Sequence, residues 1–215
     1  MRQPLAKIAR EALGCGTTGA TANTCHGAGP VVADVWTENG LGFVLLVHRR
    51  DDGHFAEELF YSLHDPSEGA GTADWADCDH LSGGLLGVDP QDPQARAEIL
   101  AGRDMAIVTE SESLVHTRRL PEDDGDELVR TVQLLIAPGA TALEVENLTR
   151  HTRHCRPVQF PLALIVLLPG DRLRVRAVTT TEAGHETVSD HIELLHPSGP
   201  ALGGGDPGPF LTGAG

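Results

Sequence analysis

Aromatic side chains make up only 4% of the 215 residues. That is too thin for a platform that stacks bases or a face that grips sugars, since both rely on flat rings. Lysine is nearly absent: Lys7 is the single one, and every other basic residue is arginine. No apolar run approaches the roughly 20 residues that cross a bilayer as a helix, so an integral helical membrane protein is excluded. Positive charge is scarce as well, with 16 Lys and Arg against 31 Asp and Glu and a formal net charge of −15. A chain so acidic repels phosphate backbones, and nucleic acid is not an expected partner.

Reaction signatures are also missing. The sequence holds no Gly-x-Ser-x-Gly elbow, no Walker loop and no His-Glu-x-x-His. Gly14-x-Gly16-x-x-Gly19 has the letters of a dinucleotide fingerprint, but a helical pattern precedes it and a Thr/Ala/Asn-rich stretch follows. The fingerprint works only between a strand and a helix. Charge scattered through Met1–Glu11 leaves no apolar segment for an export signal, so a cytoplasmic location is expected. There, thiols stay free or bind metal in preference to forming disulfides.

What is present is punctuation, with 25 Gly and 14 Pro dividing short apolar runs. Residues 4–13 read as an amphipathic helix, with Pro4 at its start, Leu5, Ile8 and Leu13 on one face and Gly14 at its end. Ten residues do not hold a helix in water alone, so this one must dock, either on its own domain or on a partner chain. A Gly-rich linker completes a unit over 1–29, a β domain is expected over 30–196, and a disordered Gly/Pro-rich tail over 197–215, where only Phe210 and Leu211 offer an anchor.

Within the domain, Val31–Thr37 and Leu41–His48 flank Asn39-Gly40, a strong hairpin signal. A third strand follows over His54–His64, then an irregular stretch over 65–90 and a short helix opened by Asp92 and Pro93. Further strands are expected at Met105–Thr109, Leu114–Thr117, Leu128–Ile136, Thr141–Leu148, within Leu173–Ala177 and near Thr187–Leu195. Leu162–Leu168 has no polar member, which predicts a strand buried on both faces and central in its sheet. About eight or nine short strands make the chain mainly β: an antiparallel sandwich or barrel with a short N-terminal helix and one short inserted helix.

Three clusters carry candidate chemistry. Cys25, Cys78, His80, His154 and Cys155 bring thiols and imidazoles of the kind that hold zinc, although they lack knuckle spacing. Arg150, Arg153 and Arg156 form the one basic segment, suited to an anionic ligand or partner or to the chain's own carboxylates. Likewise, the outward row Arg172, Arg174 and Arg176 suits pairing with Glu144 and Glu146 on a neighbouring strand. The favoured reading is non-catalytic: a binding or assembly module whose Leu5, Ile8 and Leu13 face docks on a protein partner or a second copy. Removing residues 1–29 is then expected to leave a folded domain with altered association. The alternatives are a zinc-binding domain or metal-dependent enzyme, and a binder of an anionic ligand through residues 150–156.

Overall fold

The computed structural model describes residues 2–15, 29–64, 75–119, 125–181 and 184–197. The chain opens with helix α1 (Arg2–Gly14) and a four-strand meander, β1 (Val31–Glu38), β2 (Leu41–Arg49), β3 (Phe55–Leu63) and β4 (Asp79–Leu86). Helix α2 (Pro93–Leu100) precedes β5 (Met105–His116), β6 (Asp126–Ile136), β7 (Ala142–Asn147) and β8 (Thr152–Pro157). The last strands are β9 (Leu162–Leu167), β10 (Arg172–Thr180) and β11 (Glu186–Leu195). All pairings are antiparallel, and the strands form three sheets ordered β1-β2-β3-β4, β11-β10-β7-β8 and β5-β6-β9. Among the described residues no sheet closes into a barrel.

Local chemistry explains most of these elements. Asn39 and Gly40 both take positive φ, 52° and 77°, as a two-residue hairpin turn of the type I′ class requires. At α2, the Asp92 carboxylate accepts the Gln94 N–H at 2.9 Å and Pro93 fills the first turn. β2 is buried along seven consecutive residues because both of its faces are covered. Phe43, Leu45 and Val47 enter the large core shared by all three sheets, while Val44 and Leu46 lie under α1. α1 seats Ala9, Ala12 and Leu13 against Val35, Phe60 and Trp75. A Cβ on Gly42 would come within 2.6 Å of Leu13 and 2.7 Å of Trp75, so only glycine lets helix and sheet approach this closely.

The docking face has therefore found its partner within the chain: Leu13 is 2% exposed, and Leu5 and Ile8 pack beside it. Of the two docks the sequence allowed, the chain's own domain and a partner chain, the structure shows Leu5, Ile8 and Leu13 on the first. Further expectations change. The stretch over 65–90 contains β4, and β8 runs through the basic segment as far as Pro157, so there are eleven strands; β5 is also one continuous strand where two were expected. Leu162–Leu167 is buried on both faces, as its composition demands, but β9 lies at the edge of its sheet and pairs with β6 alone. The tail from residue 198 onward lies outside the described residues.

On the outer face of the β11-β10-β7-β8 sheet, arginines and glutamates alternate across the strands. Arg174 sits opposite Glu146 and Arg176 opposite Glu144, the pairing anticipated from the sequence. Arg174 reaches Glu146 and Glu193 at 3.3 Å each, and Arg172 reaches Glu193 at 3.2 Å. Each such exposed pair contributes about 0–1 kcal/mol; their main effect is to fix the register.

Candidate functional site: a cleft where three sheet edges meet

An edge strand buried in a core has a row of backbone groups without a ladder partner, and each must be satisfied. β9 meets this problem at Leu164. Its N–H donates to the Asp34 carboxylate at 2.7 Å, and its carbonyl accepts from the Arg156 guanidinium at 2.9 Å. Arg156 also donates to Asp34 at 2.6 Å and to the Val35 carbonyl at 2.8 Å. One carboxylate from β1 and one guanidinium from β8 thus replace a neighbouring strand and tie the three sheets together.

Strand periodicity extends the clasp. Asp34, Trp36 and Glu38 alternate along β1 and project from one face. On β8 the register with β7 puts His154 and Arg156 opposite the core residues Val145 and Leu143 and so on the inner face. The Arg156 guanidinium lies 4.7 Å from the centre of the Trp36 ring, and His154 meets that ring edge-on at 5.7 Å. At the next rung Arg150 reaches Glu38 at 2.5 Å and Asp171 at 3.2 Å, while Asn147 donates to Asp171 at 2.9 Å.

Beside the clasp lies a cleft of about 360 Å³ between β1 and β8, floored by β7, β9 and β10. Its walls are the bodies of Trp36, Leu143, Val145, Phe160, Leu162 and Leu173. Burial pushes the carboxyls of Asp34 and Glu38 above the usual range, against the pull of Arg156 and Arg150. His154 is shifted downward, first by burial and then by the Arg156 charge, which favours the neutral ring. The charged groups of the cleft are committed to one another, while the His154 ring nitrogens and the side chains of Thr37, Thr152 and Gln159, which also line it, take part in no hydrogen bond among the described residues.

Main chain is available along the rims. The outward groups of Val35 are taken by Asp34 and Arg156, and two residues on, the N–H and C=O of Thr37 face the same side of β1. On β8, Val158 N–H donates inward to Thr141, so by alternation Arg153 and Cys155 turn their backbone groups away from β7. Pro157 ends that edge without a donor.

The residues singled out in the sequence fall as follows. Arg150, Arg153 and Arg156 are each held by a carboxylate of the chain: Arg150 by Glu38 and Asp171, Arg153 by Glu144, and Arg156 by Asp34. His154 borders the cleft, while Cys155 directs its side chain to the opposite face, since neighbours on a strand point apart. Cys78 and His80 belong to the far edge of the β1–β4 sheet, where the His80 ring contacts Glu58 at 2.5 Å. Cys25 lies outside the described residues. Among the described residues no three His, Cys, Asp or Glu gather as a metal set. Asp34, Trp36 and Glu38 were not singled out; their only trace in the sequence is the i, i+2, i+4 spacing on a strand facing Arg150, His154 and Arg156.

Burial pushes the Cys78 thiol up to about 11, so it stays protonated and unreactive near neutrality. A thiol-labelling reagent at pH 8 is therefore expected to modify Cys155, which is exposed, well before Cys78. Cys155→Ser should lower the native-state thiol count by one, and Cys78→Ser should leave it unchanged. Equal labelling rates at the two sites would contradict the burial of Cys78.

Comparison of the chain with protein-family models, curated proteins and solved structures gave no match.

Proposed function

We propose that this chain is a non-catalytic binding module of β-sandwich type, and that its ligand is an uncharged, extended peptide segment of a protein partner, held in the β1–β8 cleft. The sandwich reading is supported by a single apolar core shared by the inner faces of the three sheets. The observation that carries the function is the state of the cleft's polar groups. Carboxylates and guanidiniums there are already paired with one another and bonded to backbone, so among the described residues the cleft presents no unpaired charge to a ligand. What the cleft offers instead is apolar wall, one neutral imidazole and unclasped strand edges. Those suit an extended main chain carrying an apolar side chain, with ladder bonds for affinity and a pocket for selection.

The test is a panel of uncharged, end-blocked dodecapeptides, each with one aromatic beside one aliphatic residue, titrated into isotopically labelled protein. Binding is expected to move the Trp36 indole and His154 ring signals saturably, with dissociation constants on the order of micromolar or weaker. Thr152→Trp, placed at the exposed rim of the cleft, should weaken binding at least about tenfold without lowering thermal stability. If no peptide moves either signal, the cleft is not a peptide site.

A further inference from the structure

We infer that β4 is a self-association edge, along which two copies of this chain pair antiparallel about a two-fold axis at Gly84 and join their β1–β4 sheets into one. The inference is independent of what the cleft binds. The first argument is the backbone. Within its sheet β4 is bonded on one side alone, to β3. The His64 N–H donates to Gly40 and the Ala76 N–H to Leu63, so even-numbered residues of β3 bond toward β2 and odd-numbered ones toward β4. The register Leu59–Ser82, Glu57–Gly84 and Phe55–Leu86 then commits Ser82, Gly84 and Leu86 to β3. Gly83 and Leu85 turn their N–H and C=O outward, and no hydrogen bond among the described residues uses those groups. Gly83, Gly84 and Leu85 are all exposed.

The second argument is charge. A chain of formal charge −15 repels its own copy, so two copies meet most easily along a neutral line. Residues 81–88, Leu-Ser-Gly-Gly-Leu-Leu-Gly-Val, carry no charge and no proline, and their ladder with β3 is regular from Ser82 to Leu86. Charge, proline and bulges are the devices that blunt an edge, and the other edges keep them. On β5 a two-fold axis at Ser111 would set Glu110 opposite Glu112 of the second copy. β11 is acidic along its length and bulged, β8 ends in Pro157, and β1 and β9 are clasped by Asp34 and Arg156.

The third argument is fit. A two-fold axis at Gly84 sets Leu85 of each copy opposite Gly83 of the other, so the edge is its own complement. Leu85 is 60% exposed and points away from the core that holds Leu86. Opposite a glycine it meets no Cβ, and the Glu58 carboxylate that lies over that glycine is tied to His80. The two Leu85 side chains then meet on the diagonal across the axis. A pairing over residues 81–87 is roughly 25 Å long and covers roughly 400 Å² on each copy, an area typical of transient contacts. The dimer is therefore weak, with a dissociation constant on the order of 100 μM. Its β1 edges, each with a cleft, lie at the two ends of the joined sheet.

Sedimentation of the full chain from about 10 μM to about 1 mM is expected to show a monomer–dimer equilibrium. It should tighten several-fold between about 50 mM and about 0.5 M NaCl, as salt screens the repulsion between acidic copies. The amide signals of Gly83 and Leu85 should move with protein concentration. Leu85→Lys is expected to weaken association at least about tenfold, although it makes the chain less acidic, and to leave cooperative unfolding unchanged. Leu114→Lys, at a position on β5 that is 70% exposed, should leave association as it is. A monomer throughout the range overturns the inference. So does a dimer that survives Leu85→Lys, that yields to Leu114→Lys, or that weakens as salt rises. Species larger than a dimer overturn it as well, because a two-fold contact closes on itself.

Discussion

Replacing Arg156 with leucine is expected to cost about 3–5 kcal/mol of folding stability, the range for stripping the partner from a buried ion pair. The Arg156 side chain is only 16% exposed and the Asp34 side chain 20%, so solvent does little to replace what is removed. Three groups lose their partner together: the Asp34 carboxylate, the Leu164 carbonyl and the Val35 carbonyl. Chemical denaturation measures the loss, and a cost below about 1 kcal/mol would mean the clasp is ornamental.

The same variant carries a pH signature. Asp34 is already raised by burial, so its contribution to stability is fully present below the ordinary carboxyl range and fades as pH rises through its raised value. Arg156 is the strongest influence opposing that rise, and without it the Asp34 carboxyl moves further up. The penalty in Arg156→Leu should therefore be largest at pH 8 and shrink as the pH falls into the raised range where Asp34 takes up its proton. Adding Asp34→Asn should recover part of the loss at pH 8, because a neutral side-chain carbonyl still accepts the Leu164 N–H. A penalty indifferent to pH and to the second substitution would locate the damage in packing and not in the stranded carboxylate.

The elements legible in the sequence are those whose residues carry their own local signal. Asn39-Gly40 forces its hairpin, Asp92-Pro93 opens its helix, and the row of arginines on β10 announces an alternating strand with acids opposite. β4 escaped because its glycines read as loop. A Cβ on Gly83 would meet the Glu58 carboxylate, the movable end of a side chain that folds across the strand beside His80. β8 escaped for a different reason. Its inner face is filled by His154 and Arg156, whose partners Trp36 and Asp34 lie more than a hundred residues away, so it shows no apolar period. The cleft was illegible for the same reason: its walls are parts of five strands brought together only by the crossover of three sheets. Leu162–Leu167 taught the converse lesson. Composition reports burial of both faces, but it does not report whether the strand's edge is paired by another strand or by side chains.

Removing α1 is expected to abolish the soluble folded state, in contrast to the folded remainder that a docking arm would leave behind. The helix covers a contiguous apolar surface made by Val35, Val44, Leu46, Phe60 and Trp75, of which Val44 and Leu46 are 0% exposed and Phe60 is 1% exposed. Re-exposing side chains of this size costs about 1.5–3 kcal/mol each when exposure is complete. Even half of that over five residues approaches the whole stability of an ordinary domain, on the order of 5–15 kcal/mol. An uncovered sheet face is also a ready surface for aggregation. The graded form of the test separates packing from mere truncation. Leu13→Ala should cost about 2–5 kcal/mol, since Leu13 is 2% exposed and wedged over Gly42. Leu5→Ala and Ile8→Ala, at half-buried positions, should cost less. Lys7→Ala, on the exposed face with a single 3.8 Å pair to Glu11, should change stability by less than about 0.5 kcal/mol. A chain lacking residues 1–15 that stays monomeric and unfolds cooperatively within about 1 kcal/mol of the full protein would show that the sheet does not need its helix, and would return α1 to the role of an arm for another molecule.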